Sequence, residues 1–240
     1  MAPTDDYVLG KSLSDSVRGV LDLAKELPQT SQLHGFDISD DQFPLRRLWP
    51  HNVTLRTLSS LEDPPPPLAG QYDVVHIQMW ASTIKAGDVE PLISHVVKLL
   101  KPGGYIQWEE ADLVHPVIKG AKAQKFGEKV PVLFRKAHSL YSNHGLYGWA
   151  SDIHNRLQQA ILTILSSKRD NFQSFLAQKC TETYLLALAE IFRGIRTTCV
   201  EDLLPLLSEC ETELQELCAL RNKEMVYNWS PIKVLAQKGE

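Results

Sequence analysis

YDVVHIQMW, residues 72–80, is the stretch that decides the fold. Its nearly continuous apolar centre is typical of a strand that is buried on both faces in the middle of a parallel sheet. Apolar residues at helical spacing follow over residues 88–100, and YIQWEEAD, residues 105–112, then resumes as a strand. The order strand, helix, strand predicts a βαβ unit.

The residues before this unit continue the same alternation. SDSVRGVLDLAKELP, residues 14–28, has one apolar stripe at helical spacing and ends at Pro28. QLHGFDIS, residues 32–39, and VTLRTL, residues 53–58, are typical of short strands. We therefore predict an α/β fold with a doubly wound sheet.

The residues after the unit are mostly helical in pattern. Residues 113–200 include TYLLALAEIFRGIR, residues 183–196, and are long enough to cover the ligand-binding edge of the sheet. The last part predicts one more helix and a strand at 232–235. We predict a single domain over residues 1–240, with a core at 7–112, a helical cap at 113–200 and a terminal helix and strand at 201–240.

Composition excludes several classes of protein. A chain of 240 residues that is 43% hydrophobic can bury one sizeable core, and its net charge of −4 includes no block of Lys and Arg that would favour nucleic acid. No run approaches the roughly 20 apolar residues of a membrane span, and the start lacks the features of a signal peptide. We expect a cytoplasmic protein with a small-molecule or protein partner. The four cysteines lack CxxC spacing, so we expect neither a metal site nor disulfides.

Candidate binding residues lie where the predicted strands end, because doubly wound sheets bind ligands beyond the carboxyl ends of their strands. Asp37 could accept hydrogen bonds there from both hydroxyls of an adenosine ribose, although a lone Asp is as often a turn residue. Gln78, Met79 and Trp80 end the central strand, where they would border the reacting group. Trp80 is equally compatible with an aromatic side chain at the edge of the core.

Acidic residues end the next strand. Glu109, Glu110 and Asp112 could position a substrate or act as a base, or they could form a solvated rim. His115 follows them. Glu110 and His115 are the two candidates for removing a proton from a substrate.

Three segments carry a family resemblance: GFDISDDQFP, YDVVHIQMW and, most specifically, LLKPGGYIQWEEAD. They resemble the class I S-adenosylmethionine-dependent methyltransferases, in particular the fungal, LaeA-like branch of secondary-metabolite pathways. The resemblance covers residues 7–112 and extends to WSPIKVLAQK near the end of the chain. It implies a Rossmann-like sheet, S-adenosylmethionine as cofactor and a small, aromatic metabolite as substrate.

The chain departs from the family at the glycine-rich loop. Similar proteins have a first strand and a loop like DxGTGTG directly before the helix that matches VLDLAKELP, whereas here YVLGKSLSDSVR runs straight into it. Residues 14–18 stand where glycines should be, and Gly19 is left as the one glycine for cofactor binding. Side chains there would collide with the amino-acid part of S-adenosylmethionine, so we expect weakened binding. The alternative is an error in the gene model at the Arg18/Gly19 junction.

Loss of that segment also implies a sheet that is truncated at its first strand. Each buried backbone group left unpaired costs about 1–3 kcal/mol, so something must cover the gap. One candidate is DYVLG, residues 6–10, as a replacement strand with Gly10 beginning a rebuilt loop. The other is a partner chain, which would make the protein a homo-oligomer or an accessory subunit.

Three functions are compatible with these features. The first is a working methyltransferase, in which Asp37 holds the ribose, Gln78 to Trp80 border the methyl group, and His115 or Glu110 removes a proton. The second is a pathway protein that has lost methyl transfer, a pseudoenzyme that still binds or steers an intermediate. The third is a regulatory partner of another protein. The retained Asp37 and KPGG turn favour the first, whereas the missing loop favours the other two.

Overall fold

The computed structural model describes residues 6–10, 15–81, 83–84, 87–139, 148–169, 174–198, 201–220 and 225–240. Within these ranges the strands are β1 (Asp6–Gly10), β2 (Gln32–Asp37), β3 (Val53–Thr57), β4 (Tyr72–Gln78), β5 (Leu100–Lys119), β6 (Leu162–Arg169) and β7 (Val226–Lys238). The helices are α1 (Asp15–Glu26), α2 (Glu90–Leu99), α3 (Ala121–Ser139), α4 (Gly148–Ser151), α5 (Ile153–Gln159), α6 (Ser174–Thr198) and α7 (Leu204–Ala219).

The strands form one sheet in the order β3-β2-β1-β4-β5-β7-β6. The pairs from β3 to β5 are parallel, and β7 is antiparallel to both β5 and β6. This order confirms the predicted α/β sheet. It also places β4 between two parallel neighbours, as its apolar sequence predicts.

The substitute first strand is confirmed. In β1, Val8 lies opposite His34 of β2 on one side and opposite Val75 of β4 on the other. This five-residue strand pairs with the backbone groups that a missing central strand would have left unpaired. The chain therefore supplies a strand for the gap itself, and a partner chain stays a prediction. The predicted rebuilt loop at residues 11–14 lies outside the described residues.

The two glycines of the KPGG turn are required for different physical reasons. Gly103 has a φ of +74°, a conformation that side chains with a Cβ rarely adopt. A Cβ on Gly104 would lie 3.0 Å from the carbonyl oxygens of Lys101 and Tyr72 and 3.2 Å from that of Asp73. The turn therefore requires glycine at Gly104 because the backbone of β4 passes close beside it.

Two apolar clusters hold the helices to the Rossmann-like part of the sheet. The predicted stripe of α1 packs on β2 and β3 through buried residues: Val20, Ala24, Leu33, Val53 and Leu55. The larger cluster joins the central strands to α2, α4 and α5, and includes Ile77, Ile93, Trp108, Trp149 and Leu157. Alternation along β2 assigns Leu33 to the first cluster and Phe36 to the second, so the sheet is covered on both faces.

The cap is built on a two-stranded ribbon. The second half of β5 and the first half of β7 remain paired beyond the register at which β4 ends, with Val117 opposite Asn228 and Lys119 opposite Val226. Helices α3, α6 and α7 pack on this ribbon through an aromatic and aliphatic cluster that includes Phe126, Tyr184, Leu188, Phe192, Leu207 and Tyr227. Helices α3, α4, α5 and α6 lie within residues 113–200, which were predicted to be mostly helical, and the segment also contains the end of β5 and all of β6.

The solvent-facing side of the cap is charged. Lys129 of α3 forms ion pairs with Glu209 and Glu213 of α7, and Arg196 of α6 pairs with Glu211. Across the described ranges, no helix is both long and apolar enough to cross a membrane.

Candidate functional site

The carboxyl ends of three parallel strands meet at one edge of the sheet. Gly10 at the end of β1 lies opposite Phe36 and Ile77, so Asp37 and Gln78 each extend one residue beyond it on either side. With neighbouring strands about 4.8 Å apart, the backbones of Asp37 and Gln78 are about 10 Å apart across β1. This is the edge where the sequence predicts a ligand.

Asp37 terminates β2 and is 8% exposed. Its Oδ1 accepts a hydrogen bond from the backbone nitrogen of Ser39 at 3.3 Å, and its carbonyl oxygen accepts one from Leu58 at 2.7 Å. The next residue, Ile38, is 71% exposed at the same strand end. A fixed carboxylate beside an exposed aliphatic side chain can accept hydrogen bonds from ribose hydroxyls and contact a flat base.

Gly19 does not lie in the loop before α1. It lies in the second turn of that helix, and no atom lies within 4 Å of a Cβ placed on it. The structure therefore shows no close approach that requires glycine at this position, and its role in cofactor binding stays a prediction. Asp37 and Ile38 could hold the adenosine half of the implied cofactor, and residues 11–14 lie outside the described ranges.

The last residue of β4, Gln78, and the two residues that follow it have different environments. The Oε1 of Gln78 lies 3.3 Å from Nε2 of His76, whose pKa is lowered by burial. Met79 has a φ of 55°, which is a left-handed conformation that residues with a Cβ seldom adopt. Its side chain is 37% exposed. Trp80 is 5% exposed and belongs to the larger apolar cluster, which supports its alternative role as a core residue.

Glu110 is a structural residue rather than a free base. It is 3% exposed, and its carboxylate accepts hydrogen bonds from the backbone nitrogens of Trp80, Ala81 and Ala111 at 2.9–3.1 Å and from the indole of Trp108 at 3.2 Å. Burial raises the pKa of Glu110, and these four donors act against that rise. Because its oxygens are occupied by the protein, we correct its predicted role as a proton acceptor.

His115 remains available for that role. It lies on an irregular stretch of β5 between Asp112 and Val117, and its side chain is 58% exposed. Its Nδ1 lies 2.9 Å from Oδ2 of Asp112, a carboxylate that is fully buried and also accepts from Arg169 at 2.8 Å. The i,i+3 spacing of Asp112 and His115 was visible in the sequence. Arg169 was missed because β6 was not predicted.

Curated relatives with sequence similarity are fungal methyltransferases, while no protein-family model matches the chain. Methyltransferase grgD of a Penicillium species is 37% identical over 84 residues, which are 35% of this chain and 29% of grgD. N-methyltransferase tcpN of Claviceps purpurea is 32% identical over 96 residues, 40% of this chain and 34% of tcpN. Methyltransferase psoC of Aspergillus fumigatus is 25% identical over 175 residues, 70% of this chain and 60% of psoC. The matches thus span less than two thirds of these relatives.

Solved structures show the same fold at low sequence identity. The [4+2]-cyclase SpnF has a TM-score of 0.55 and 14% identity, over 98% of this chain and 74% of SpnF. Phosphoethanolamine N-methyltransferase 2 of Haemonchus contortus, solved with S-adenosyl-L-methionine, has a TM-score of 0.51 and 17% identity, over 100% of this chain and 50% of that chain. The protein therefore has the Rossmann-like fold of class I S-adenosylmethionine-dependent methyltransferases. The relatives that it matches in sequence are fungal methyltransferases.

Proposed function

We propose that this chain is a methyltransferase-family protein of fungal secondary metabolism that binds S-adenosylmethionine and a small, aromatic metabolite. The observation that carries the proposal is Asp37, a nearly buried carboxylate at the end of β2, beside the exposed Ile38. It lies beside the end of β1, and the strand order reverses between β1 and β4, which is the switch point at which doubly wound sheets bind nucleotides. The fungal methyltransferase relatives support the same class of reaction.

Each residue of this edge has a distinct part in the proposed site. Asp37 accepts the ribose hydroxyls and Ile38 contacts the base. The bound cofactor supplies an electrophilic methyl group. Gln78 and Met79 shape the opening between Asp37 and His115, and His115 accepts a proton from the substrate. Catalysis then comes largely from holding the reacting groups in line.

A second function is favoured by the lack of glycine in the segment before α1. Between Gly10 and Gly19 the chain contains no glycine, so cofactor binding there would lack the flexible backbone of similar proteins. The alternative is an accessory protein that binds or steers a pathway intermediate without methylating it, or a regulatory partner of another protein. The fold permits this, since SpnF has the same fold and is named a cyclase.

Calorimetric titration with S-adenosylhomocysteine separates these functions. The methyltransferase function predicts micromolar binding by the wild-type chain and at least tenfold weaker binding by Asp37→Ala. Asp40→Ala is the matched control, because Asp40 is exposed three residues after Asp37. No binding by a folded wild-type chain would reject cofactor use. Binding of a pathway intermediate would then distinguish the accessory function from the regulatory one.

A further inference from the structure

Strand β5 bulges outward where it passes the carboxyl edge of the sheet. Four residues, 113–116, lie between Asp112 and Val117, whereas β7 has the single residue Trp229 between their partners Ser230 and Asn228. Irregular stretches of this kind redirect side chains and are frequent beside active sites. The bulge carries His115 with 58% of its side chain exposed. Asp112 lies three residues beyond Glu109, which pairs with Gln78, and is therefore about 10 Å beyond the end of β4.

Asp112 determines which nitrogen of His115 is available. Oδ1 of Asp112 accepts from the backbone nitrogen of His115 at 3.1 Å, and Oδ2 lies 2.9 Å from its Nδ1. Because an ionised carboxylate only accepts hydrogen bonds, Nδ1 carries the proton in the neutral ring. Nε2 is then the nitrogen with a lone pair. This is the arrangement of a general base whose tautomer is set by a buried acid.

Arg169 adds a guanidinium group to the same place. Residue Arg169 ends β6, two strands from Glu110, and its Nη2 reaches Oδ2 of Asp112 at 2.8 Å while 44% of its side chain stays exposed. Helix α4 contributes the hydroxyl of Ser151, 3.5 Å from Nδ1 of His115. Because Asp112 neutralises Arg169, this place becomes net positive when His115 takes up a proton, and the two cationic groups then attract an oxyanion and repel a protonated amine.

We infer that His115 and Asp112 deprotonate a metabolite with an acidic hydroxyl group, a phenol or an enol, next to Arg169. The O–H bond breaks, its electron pair stays on the oxygen, and the proton forms a bond to Nε2 of His115. The resulting imidazolium faces Asp112, and the oxyanion lies near the guanidinium of Arg169. His115 is the catalytic residue in this step, and Asp112 is a positioning residue. The inference rests on the proposed function and names its substrate class.

The test uses para-nitrophenol, whose anion absorbs visible light, with the full chain. We expect the wild-type chain to bind it and to raise the ratio of anion to phenol about tenfold at a fixed pH near neutrality, a shift of about one pKa unit. His115→Gln should bind the probe but leave this ratio as it is in free solution. His51→Gln is the matched control, because His51 is an exposed histidine in the turn before β3, and it should keep the full effect.

Two further measurements complete the test. para-Nitroanisole has no acidic proton, so it should bind the wild-type chain and His115→Gln equally. Asp112→Asn should also lose the ionisation of para-nitrophenol. If Asp112→Asn fails to fold, the comparison of wild type with His115→Gln decides the outcome, because His115 is exposed and its substitution should leave the fold intact. Absence of binding by the wild-type chain, or equal ionisation by wild type and His115→Gln, would overturn the inference.

This result is independent of cofactor binding. Loss of S-adenosylhomocysteine binding would reject the proposed methyl transfer but leave the ionisation of the phenol by His115 intact. Conversely, Asp37-dependent binding of S-adenosylhomocysteine without any ionisation of para-nitrophenol would retain the proposed function and reject the phenol or enol as its substrate class.

Discussion

The Oε2 atom of Glu110 lies 2.9 Å from the backbone nitrogen of Trp80 and accepts a hydrogen bond from it. Oε1 of the same carboxylate accepts from Ala81 at 3.1 Å. Strand β5 thus holds the chain that leaves β4 at the point where Met79 adopts its left-handed conformation. One buried side chain therefore sets the shape of this part of the ligand edge.

Removing this carboxylate should destabilise the protein strongly. Glu110→Ala leaves four buried N–H donors without their acceptor, and we expect a loss of about 3–5 kcal/mol in the free energy of unfolding. Urea denaturation measures it. Glu109→Ala is the control: its side chain is 35% exposed and lies 3.7 Å from Lys233, so its loss should cost less than about 1 kcal/mol. Equal effects of the two substitutions would contradict the structural role of Glu110.

The KPGG turn offers a comparison between two adjacent glycines. Gly104→Ala should cost about 1–3 kcal/mol, because its Cβ would press on carbonyl oxygens of the backbone that cannot move aside. Gly103→Ala should cost about 1 kcal/mol from its positive φ, since no atom lies within 4 Å of its Cβ. Thermal unfolding of both variants tests this order. A less stable Gly103→Ala would refute the close approach of β4 to Gly104.

Acid should weaken the fold through His95. This residue is 2% exposed on α2, its Nδ1 donates to the carbonyl oxygen of Glu62, and burial lowers its pKa below the ordinary 6.5. The unfolded chain therefore binds more protons than the folded chain just below pH 6.5. The free energy of unfolding should be fully present above that pH and fall as the pH decreases below it.

Denaturation at several pH values measures this slope, which one such histidine limits to about 1.4 kcal/mol per pH unit. His95→Gln should reduce the slope. The double variant with His76→Gln should reduce it further, because burial also lowers the pKa of His76. An unchanged slope in His95→Gln would exclude this cause.

The substitute strand β1 can be tested by hydrogen exchange. Because β1 pairs with β2 and β4 on both sides, the amides of residues 7–10 should exchange as slowly as those of residues 33–37. Mass spectrometry of peptic peptides measures both segments. Exchange of residues 7–10 at the rate of an unfolded peptide would contradict their central position and reopen the need for a partner chain.

Local patterns predicted much of the fold. The apolar centre of YDVVHIQMW, the stripe of α1 and the KPGG turn depend on residues close in sequence, and the order of these elements predicted the α/β sheet and the position of Asp37. β6 was missed because it is an edge strand whose side chains are mostly partly or fully exposed, so its sequence LTILSSKR lacks the apolar pattern of a buried strand.

The roles of the polar residues were decided by the tertiary structure. By sequence, Glu110 and His115 are equal candidates for a base, because both lie at the end of the strand YIQWEEAD or just after it. In the fold, Glu110 is buried against four N–H donors, whereas His115 is exposed and backed by Asp112. The sequence by itself determined the strands and helices, because hydrophobic periodicity is local. Only the tertiary structure decided that the carboxylate of Glu110 is structural and that the carboxylate of Asp112 supports a base. The reason is that burial and hydrogen-bond partners come from residues far away along the chain, such as Trp80 and Arg169.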